Sequence, residues 1–427
     1  MIAAALGLLL AAIALSIPIA AALLLLGVAL GEIYSPIPLV RAVGEIAWTT
    51  STDPILIAIP MFVLMGEILI RSGITEKMYK CMVLWVSWLP GGLMHSNIAA
   101  SAVFAATCGS SVATSATIGT VAAPQAKRFK YNERLFLGSI AAGGTLGILI
   151  PPSITLIVYG VLTDTSIPKL YLAGLLPGVL LALSFMLCIA VLCALVPSWR
   201  GLPIVTSWSE RAAALVFLAP PILLFVVVIG SIYAGWATPT ESAAIGVILS
   251  LLLAIGHRGL DLSMLRSAIE GTMRTSAMVL LIIVAAYFLN FVIAAIGLTA
   301  EINQVITRLD PSPYQLLFAV ILFYIVIGFF IETLSIMVTT VPIIAPLVFA
   351  AGFDPVWFGV LMILLAETAL ITPPVGLNLF VVQGVRDRGS LNDVIIGIVP
   401  FLVVLLAFIL LVIAYPDLVL WLPETLR

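Results

Sequence analysis

Six stretches of this chain run 23 to 31 residues without one charged side chain: 1–31, 135–163, 170–199, 212–240, 275–300 and 394–416. A helix needs ~20 residues to cross bilayer hydrocarbon, so each stretch is long enough to span a membrane. With 63% hydrophobic and 9% charged residues, the chain has too little polar surface for a water-soluble globule. That excludes a soluble enzyme and a disordered tail, and the near balance of 18 basic and 20 acidic residues argues against a nucleic-acid partner. The first stretch lacks a basic lead-in and exceeds the ~7–15 apolar residues of a signal peptide, so it reads as a spanning helix. Cys81, Cys108, Cys188 and Cys193 have neither CxxC nor zinc spacing, and no disulfide framework or metal site is read from them.

Laid over itself at an offset of 222 residues, the chain repeats. Ala123-Pro124 recurs as Ala345-Pro346, Pro151-Pro152 as Pro373-Pro374, and Ser111 and Thr117 fall on Thr333 and Thr339. Gly73-Ile74-Thr75 matches Gly297-Leu298-Thr299, and Gly174 and Pro177 match Gly397 and Pro400, with a drift of only one or two residues. Such self-similarity marks an internal duplication. Basic residues set its sense, because cytoplasmic loops concentrate Lys and Arg. Loops 71–80, 127–134, 198–211, 257–274 and 386–388 hold 14 of the 18, leaving Arg41, Lys169, Arg308 and Arg427 elsewhere. The loop after Pro124 is basic and therefore inside, whereas its counterpart at 351–354 has no basic residue and reads as outside. The repeat is inverted.

The expected fold is an all-α integral membrane protein, with nine crossings near 4–30, 54–70, 135–162, 170–197, 212–233, 242–256, 276–296, 357–384 and 394–414. The N-terminus lies in the cytoplasm and the C-terminus outside. Segments 91–126 and 313–347 begin and end on the same side, so each reads as a re-entrant helical hairpin; two short full crossings preserve the same parity. Stretches 76–89, 300–309 and 259–274 are amphipathic enough to lie along the interface. The chain then divides into an N-terminal helix and connecting loop (1–53), repeat 1 (54–197), connecting helices with an interfacial helix (198–275), repeat 2 (276–414) and a C-terminal tail (415–427).

Chemistry is concentrated at the hairpin tips and the double prolines. Around the first tip stand Thr107, Cys108, Gly109, Ser110 and Ser111, small residues that let helices end inside the membrane and offer oxygens to an alkali cation; they serve equally for close helix packing. Gly143 to Ser153, with Pro151-Pro152, interrupts a helix, since proline lacks the N–H and frees upstream carbonyls. Glu367 to Pro374 does the same in the second half, and paired broken helices beside paired hairpins suit a midplane ion and substrate site. Four acids fall within the membrane: Glu67, Glu241, Glu332 and Glu367. Glu332, the repeat counterpart of Ser110, and Glu367, the counterpart of Thr145, are candidates for cation coordination or a proton-linked step, against a structural hydrogen-bonding role. Glu67 and Glu241 lie near helix ends and read as anchors or caps. Asn378 follows the second break and is a further candidate. No nucleotide loop, HExxH or GxSxG is present, so no enzymatic activity is read.

Four elements together carry a resemblance: the Gly-Ser tip, Gly143 to Ser153, Ala237-Thr238-Pro239-Thr240-Glu241-Ser242-Ala243-Ala244, and Pro373-Pro374. Over essentially its whole length the chain resembles the large membrane subunit of TRAP transporters, the DctM-like permeases. The resemblance implies an inverted-repeat secondary transporter of the bacterial inner membrane that imports organic acids with sodium by an elevator-type movement. It implies two partners, a small four-helix DctQ-like membrane subunit and a periplasmic DctP-like substrate-binding protein, and no cofactor beyond the coupling sodium. By position, one sodium site would use Cys108, Ser110, Gly147, Ile150 and Pro151; the other would use Gly328, Glu332, Thr333, Thr368, Thr372 and Pro373. Substrate contacts would come from Thr107, Ser111, Ser153, Glu367 and Asn378. The chain departs from the family in having Cys108 where a serine is usual and Ser115 near a common acidic position.

Inversion of the repeat is tested by single cysteines and a membrane-impermeant maleimide. Lys130→Cys is expected to label only from the cytoplasmic side and Gly352→Cys only from the outer side; labelling of both from one side refutes the inverted reading.

Overall fold

The computed structural model describes the chain except residues 205, 258, 387 and 427 and the side chains at 13, 303 and 305–308. Arg258, Arg308 and Arg427 of the basic pattern thus lie outside the described residues. Every element among the described residues is helical. Helices α1 (Ile2–Ala14), α2 (Ile19–Tyr34) and α3 (Val43–Ser51) lead into repeat 1. That repeat comprises α4 (Ala58–Arg71), the arm α5 (Ile74–Val86), a hairpin of α6 (Leu93–Cys108) and α7 (Ser111–Arg128), the broken pair α8 (Glu133–Thr145) and α9 (Ile154–Thr163), and α10 (Ile167–Leu195). Connecting helices α11 (Trp208–Ala214), α12 (Ala219–Tyr233) and α13 (Pro239–Gly256) follow. Repeat 2 has α14 (Leu262–Ala295), the arm α15 (Leu298–Leu309), a hairpin of α16 (Pro313–Gly328) and α17 (Thr333–Ala350), the broken pair α18 (Pro355–Ile371) and α19 (Leu377–Gly384), and α20 (Leu391–Ala414); α21 (Asp417–Thr425) closes the chain.

This is the expected all-α inverted-repeat architecture with two hairpins and two proline-broken helices. The two halves agree in detail. The turn into each arm is made by a left-handed glycine, Gly73 at φ 75° and Gly297 at φ 76°, and both Pro-Pro bonds are cis. Arm α5 bends 69° away from α4. Helices α10, α13, α14, α17 and α20 are each long and apolar enough to cross a bilayer unaided. Hairpin arms of 16 and 18 residues measure roughly 24–27 Å at ~1.5 Å per residue, well over half the hydrocarbon thickness.

Four expectations are corrected. The first crossing is two helices: Pro18 has no N–H to continue the α1 ladder, and Ser16 turns the backbone left-handed at φ 55°. The connecting loop up to residue 53 contains α3 after a short 3₁₀ turn at Leu39–Ala42. The interfacial stretch 259–274 and the crossing after it form the single helix α14. Asp261 caps its start by accepting the Met264 N–H at 2.6 Å, and no proline intervenes before Gly297. At 34 residues it is roughly 51 Å long, so its first turns extend beyond the ~30 Å hydrocarbon layer. The tail carries α21.

Burial sorts the helices into layers. Residues 135–145 of α8 are all buried, as are all but one of residues 356–371 in α18. A helix apolar all round is core, and these two form the centre. Outer helices show apolar faces instead, such as Leu183, Leu187 and Leu195 on α10 and Val403 and Leu410 on α20, which lipid solvates without penalty. Around the centre, α6–α10 and α16–α20 form one unit, and α2 and α4 both pack on α14 in a second. Within the first unit α8 and α20 approach at Gly138 and Gly397: a Cβ on Gly138 would collide with the Gly397 carbonyl, and one on Gly397 with the Arg134 carbonyl. An ion pair joins the same helices at their start, Arg134 Nε 3.0 Å from Asp393, and Arg386 of the loop before α20 lies 3.0 Å from Glu133 at the start of α8.

Gly138→Val therefore forces α8 from α20, and overpacking of this kind costs about 1–3 kcal/mol or more. A lower unfolding midpoint is expected for the purified protein. Gly230→Ala inside α12, where a Cβ meets nothing within 4 Å, does not lower the midpoint and is expected to raise it slightly.

Candidate functional site

At the first hairpin tip α6 ends on Cys108 and Gly109 turns left-handed at φ 66°. Ser110 caps α7, its Oγ accepting the Ala113 N–H at 3.4 Å. The glycines here are required by contact. A Cβ on Gly109 would lie 2.6 Å from the Pro152 carbonyl oxygen, and one on Gly147 2.6 Å from the Ser110 carbonyl oxygen. The tip thus sits backbone to backbone in the α8–α9 break. Ser153 caps α9, accepting the Leu156 N–H at 3.3 Å while donating to the Ile148 carbonyl at 2.5 Å, which occupies one carbonyl near the break. Ile150 packs on Gly178 of α10.

The second tip is built alike with different chemistry. Glu332 caps α17, its Oε2 accepting the Ser335 N–H and Oγ–H, both at 3.1 Å. Thr333 Oγ1 donates to the Ala366 carbonyl at 3.4 Å, and a Cβ on Gly328 would lie 2.7 Å from the Ala369 Cβ, so this tip lies on the last turns of α18. There Thr368 and Thr372 donate back to the Leu364 and Thr368 carbonyls at 3.0 and 2.5 Å. Helix α18 stops at Thr372, in extended conformation, immediately before Pro373.

Both tips face one cavity of about 1110 Å³. Four helices of the first unit begin on its wall, at Ser111 (α7), Ile154 (α9), Thr333 (α17) and Leu377 (α19), and two end there or one residue short of the end, at Cys108 (α6) and Leu370 (α18); α2 of the second unit also begins there, at Ile19. A helix start carries about +0.5 charge with free N–H groups, and a helix end about −0.5 with free carbonyls. The wall is therefore suited to an anion and a cation side by side. Its opposite side comes from the second unit: the α1–α2 break at Ser16–Pro18, Val63 and Glu67 of α4, and Thr275 to Ile282 of α14.

Of the residues expected to bind a cation, Cys108, Ser110, Glu332 and Thr333 line the cavity. Gly147, Gly328, Thr368, Thr372 and Pro373 stand behind it, as do Pro151 and Ile150. Of those expected to touch substrate, Ser111 lines it. Thr107 is buried and donates to the Phe104 carbonyl at 2.8 Å. Asn378 is a buried tie between the repeats, its Nδ2 donating to Ser111 Oγ at 2.8 Å and to the Ala141 carbonyl at 3.3 Å. Glu367 is fully buried away from the cavity, and neither carboxyl oxygen has a hydrogen-bond partner among the described residues. Glu241 forms a capping box with Thr238 at the start of α13. The wall residues Ser16, Thr155 and Thr275 were not singled out from sequence; only the Pro18 break gave a readable signal.

A family model for the DctM component of tripartite ATP-independent periplasmic transporters matches residues 6–418. The chain belongs to this family. It is 34% identical over 390 residues to a protein named C4-dicarboxylate TRAP transporter large permease protein DctM from Pseudomonas aeruginosa, covering 91% of this chain and 90% of the relative. A relative named sialic acid TRAP transporter large permease protein SiaM, from Vibrio cholerae, is 33% identical over 86% of each chain. Among solved structures, the YdaH transporter of Alcanivorax borkumensis superposes with a TM-score of 0.62 over 96% of this chain and 99% of its own, at 15% identity, a likeness of fold. As a DctM-family permease, the protein is a membrane transporter component and not an enzyme.

Asn378→Ala removes the hydrogen bonds from the second broken helix to Ser111 of hairpin 1 and to Ala141 of α8, and strands buried polar partners. A loss of about 1–3 kcal/mol is expected, read as a lower unfolding midpoint of the purified permease.

Proposed function

We propose that this DctM-family chain is the translocating subunit of a sodium-coupled importer of organic acid anions. The observation that carries the reading is the convergence of four helix starts and two helix ends of the hairpins and broken helices on one cavity. Carboxylates are met by backbone N–H groups and hydroxyls at Ser111, Thr155 and Thr333, without an arginine or lysine on the wall. Sodium takes hard oxygens: carbonyls and hydroxyls about Cys108 and Ser110 at one tip, and the Glu332 carboxylate with Thr333 at the other. Both relatives named above carry carboxylic acids in their names, a C4-dicarboxylate and sialic acid.

Movement follows from the two packed units. The hairpins and broken helices are locked to one another by glycine contacts and by Asn378, so they shift together as a rigid body against α2, α4 and α14. Because both tips line the cavity, occupancy by cation and anion together neutralises the wall and permits that shift. The cavity is walled by the end of α4 and by α14 from Thr275 onward, close to the basic loops 71–80 and 257–274, so this conformation faces the cytoplasm. The other components of the system are a small four-helix membrane subunit and a periplasmic binding protein that delivers the acid.

The test is uptake of labelled succinate, pyruvate and gluconate into proteoliposomes holding the permease and small subunit, with binding protein outside. Uptake of one acid that fails without sodium and fails without binding protein is expected. Uptake unchanged without sodium removes the coupling, and uptake without binding protein favours a stand-alone carboxylate carrier. Glu332→Gln is expected to raise the half-saturating sodium concentration about tenfold or more.

A further inference from the structure

One charged group on the cavity wall, Glu67, has no part in the scheme above, and its partner Arg71 lies one residue beyond the wall residue Ile70. Glu67 lines the cavity from α4, and its Oε2 lies 2.8 Å from an Arg71 terminal nitrogen and 3.0 Å from Arg71 Nε. Two guanidinium nitrogens thus converge on one carboxylate oxygen, leaving Oε1 without a guanidinium contact, so the pair falls short of the two-oxygen fork in which arginine holds carboxylates most firmly. Their side chains are 20% and 37% exposed, so both reach solvent.

The facing helix has been cleared for this carboxylate. A Cβ on Gly271 of α14 would stand 2.8 Å from the Glu67 Cδ and Oε2 and 2.9 Å from Oε1. Glycine inside a 34-residue helix is unfavourable relative to alanine, and here close approach of a charged group to the backbone explains it. An ion pair serving only as an i,i+4 helix brace on a surface needs no such slot; the pairs Glu76–Lys80 and Arg266–Glu270 have the same spacing and stand exposed.

We propose that Arg71 is a carboxylate-binding residue at the cytoplasmic end of the path, and that Glu67 is its exchangeable counter-ion. This rests on the reading of the cavity as the path of an organic acid. The substrate carboxylate takes the place of the Glu67 carboxylate on the guanidinium, and the released Glu67 carboxylate, 20% exposed, is left facing the cavity without its ion-pair partner. A pair this exposed contributes little net stability, and its opening is not strongly opposed. On release Glu67 returns to Arg71 and competes the carboxylate off toward the cytoplasm. The substrate class is an acid with at least one free carboxylate; an amide or ester of the same acid is not held.

Two measurements test this. In the proteoliposome assay above, with whichever of the three labelled acids is taken up, Arg71→Gln is expected to raise the half-saturating concentration about tenfold or more, and Arg71→Lys to recover part of the loss. Glu67→Gln, which frees the guanidinium, is expected to lower the half-saturating concentration about twofold or more and to reduce the maximal rate. Equal impairment by Arg71→Gln and Glu67→Gln, or a change in maximal rate alone, assigns the pair a structural role and overturns the proposal. The second measurement does not depend on transport. The unfolding midpoint of the purified permease is recorded with each acid and with its amide. The acid is expected to raise the midpoint of the wild type and not of Arg71→Gln, and the amide to raise neither. The same shift in both proteins, or none in the wild type with any acid, overturns it. A positive shift with failed uptake counts against the transport reading alone.

Discussion

A helix interrupted inside hydrocarbon leaves N–H and carbonyl groups with no water to receive them, and the rest of this structure follows from where those groups go. Each break is met by a hairpin tip: Gly109 and Gly147 let the first tip enter the α8–α9 break within backbone distance, and Thr333 bonds the end of α18. The remaining helix termini open onto one cavity, which makes a polar site from a chain with few polar residues. Site and structural repair are the same feature.

The same constraint explains the division into two units. Elements that repair each other's breaks must stay together, so hairpins, broken helices, α10 and α20 pack through glycine contacts and the buried Asn378. Helices α4 and α14 are uninterrupted and the α1–α2 break opens on the cavity; α2 and α4 pack on α14 by apolar contact, as where Gly27 admits the Phe288 ring. Across the cavity, Ser16, Glu67 and Thr275 stand opposite Ser110, Ser111, Glu332 and Thr333.

Hairpins, broken helices and arms were legible because their signals are local. Proline removes a donor wherever it stands, a glycine turn recurs at the same place in both halves, and charge-free length needs no partner to be recognised. The continuity of α14 was obscured because the charges of its first turns, Asp261, Arg266, Glu270 and Arg274, mimic an interfacial helix; length beyond the bilayer accounts for them equally well. At the site, hydroxyls and acids were recognised by type but not by direction. Glu367 and Glu67 are both intramembrane acids in the sequence, yet Glu67 borders the cavity and Glu367 is sealed in the core. Which face of a helix meets a cavity depends on how its neighbours pack.

By itself the sequence determined that this chain lives in a membrane, that it is an inverted duplication, and where its helices break, since these depend on hydropathy, charge and proline along one strand of residues. Only the tertiary structure decided which helix ends share a cavity, that Asn378 ties the two repeats together, and that Glu67 lines the cavity with its carboxylate against Gly271. Those relations join residues up to 267 positions apart, and packing in three dimensions, not periodicity along the chain, brings them together.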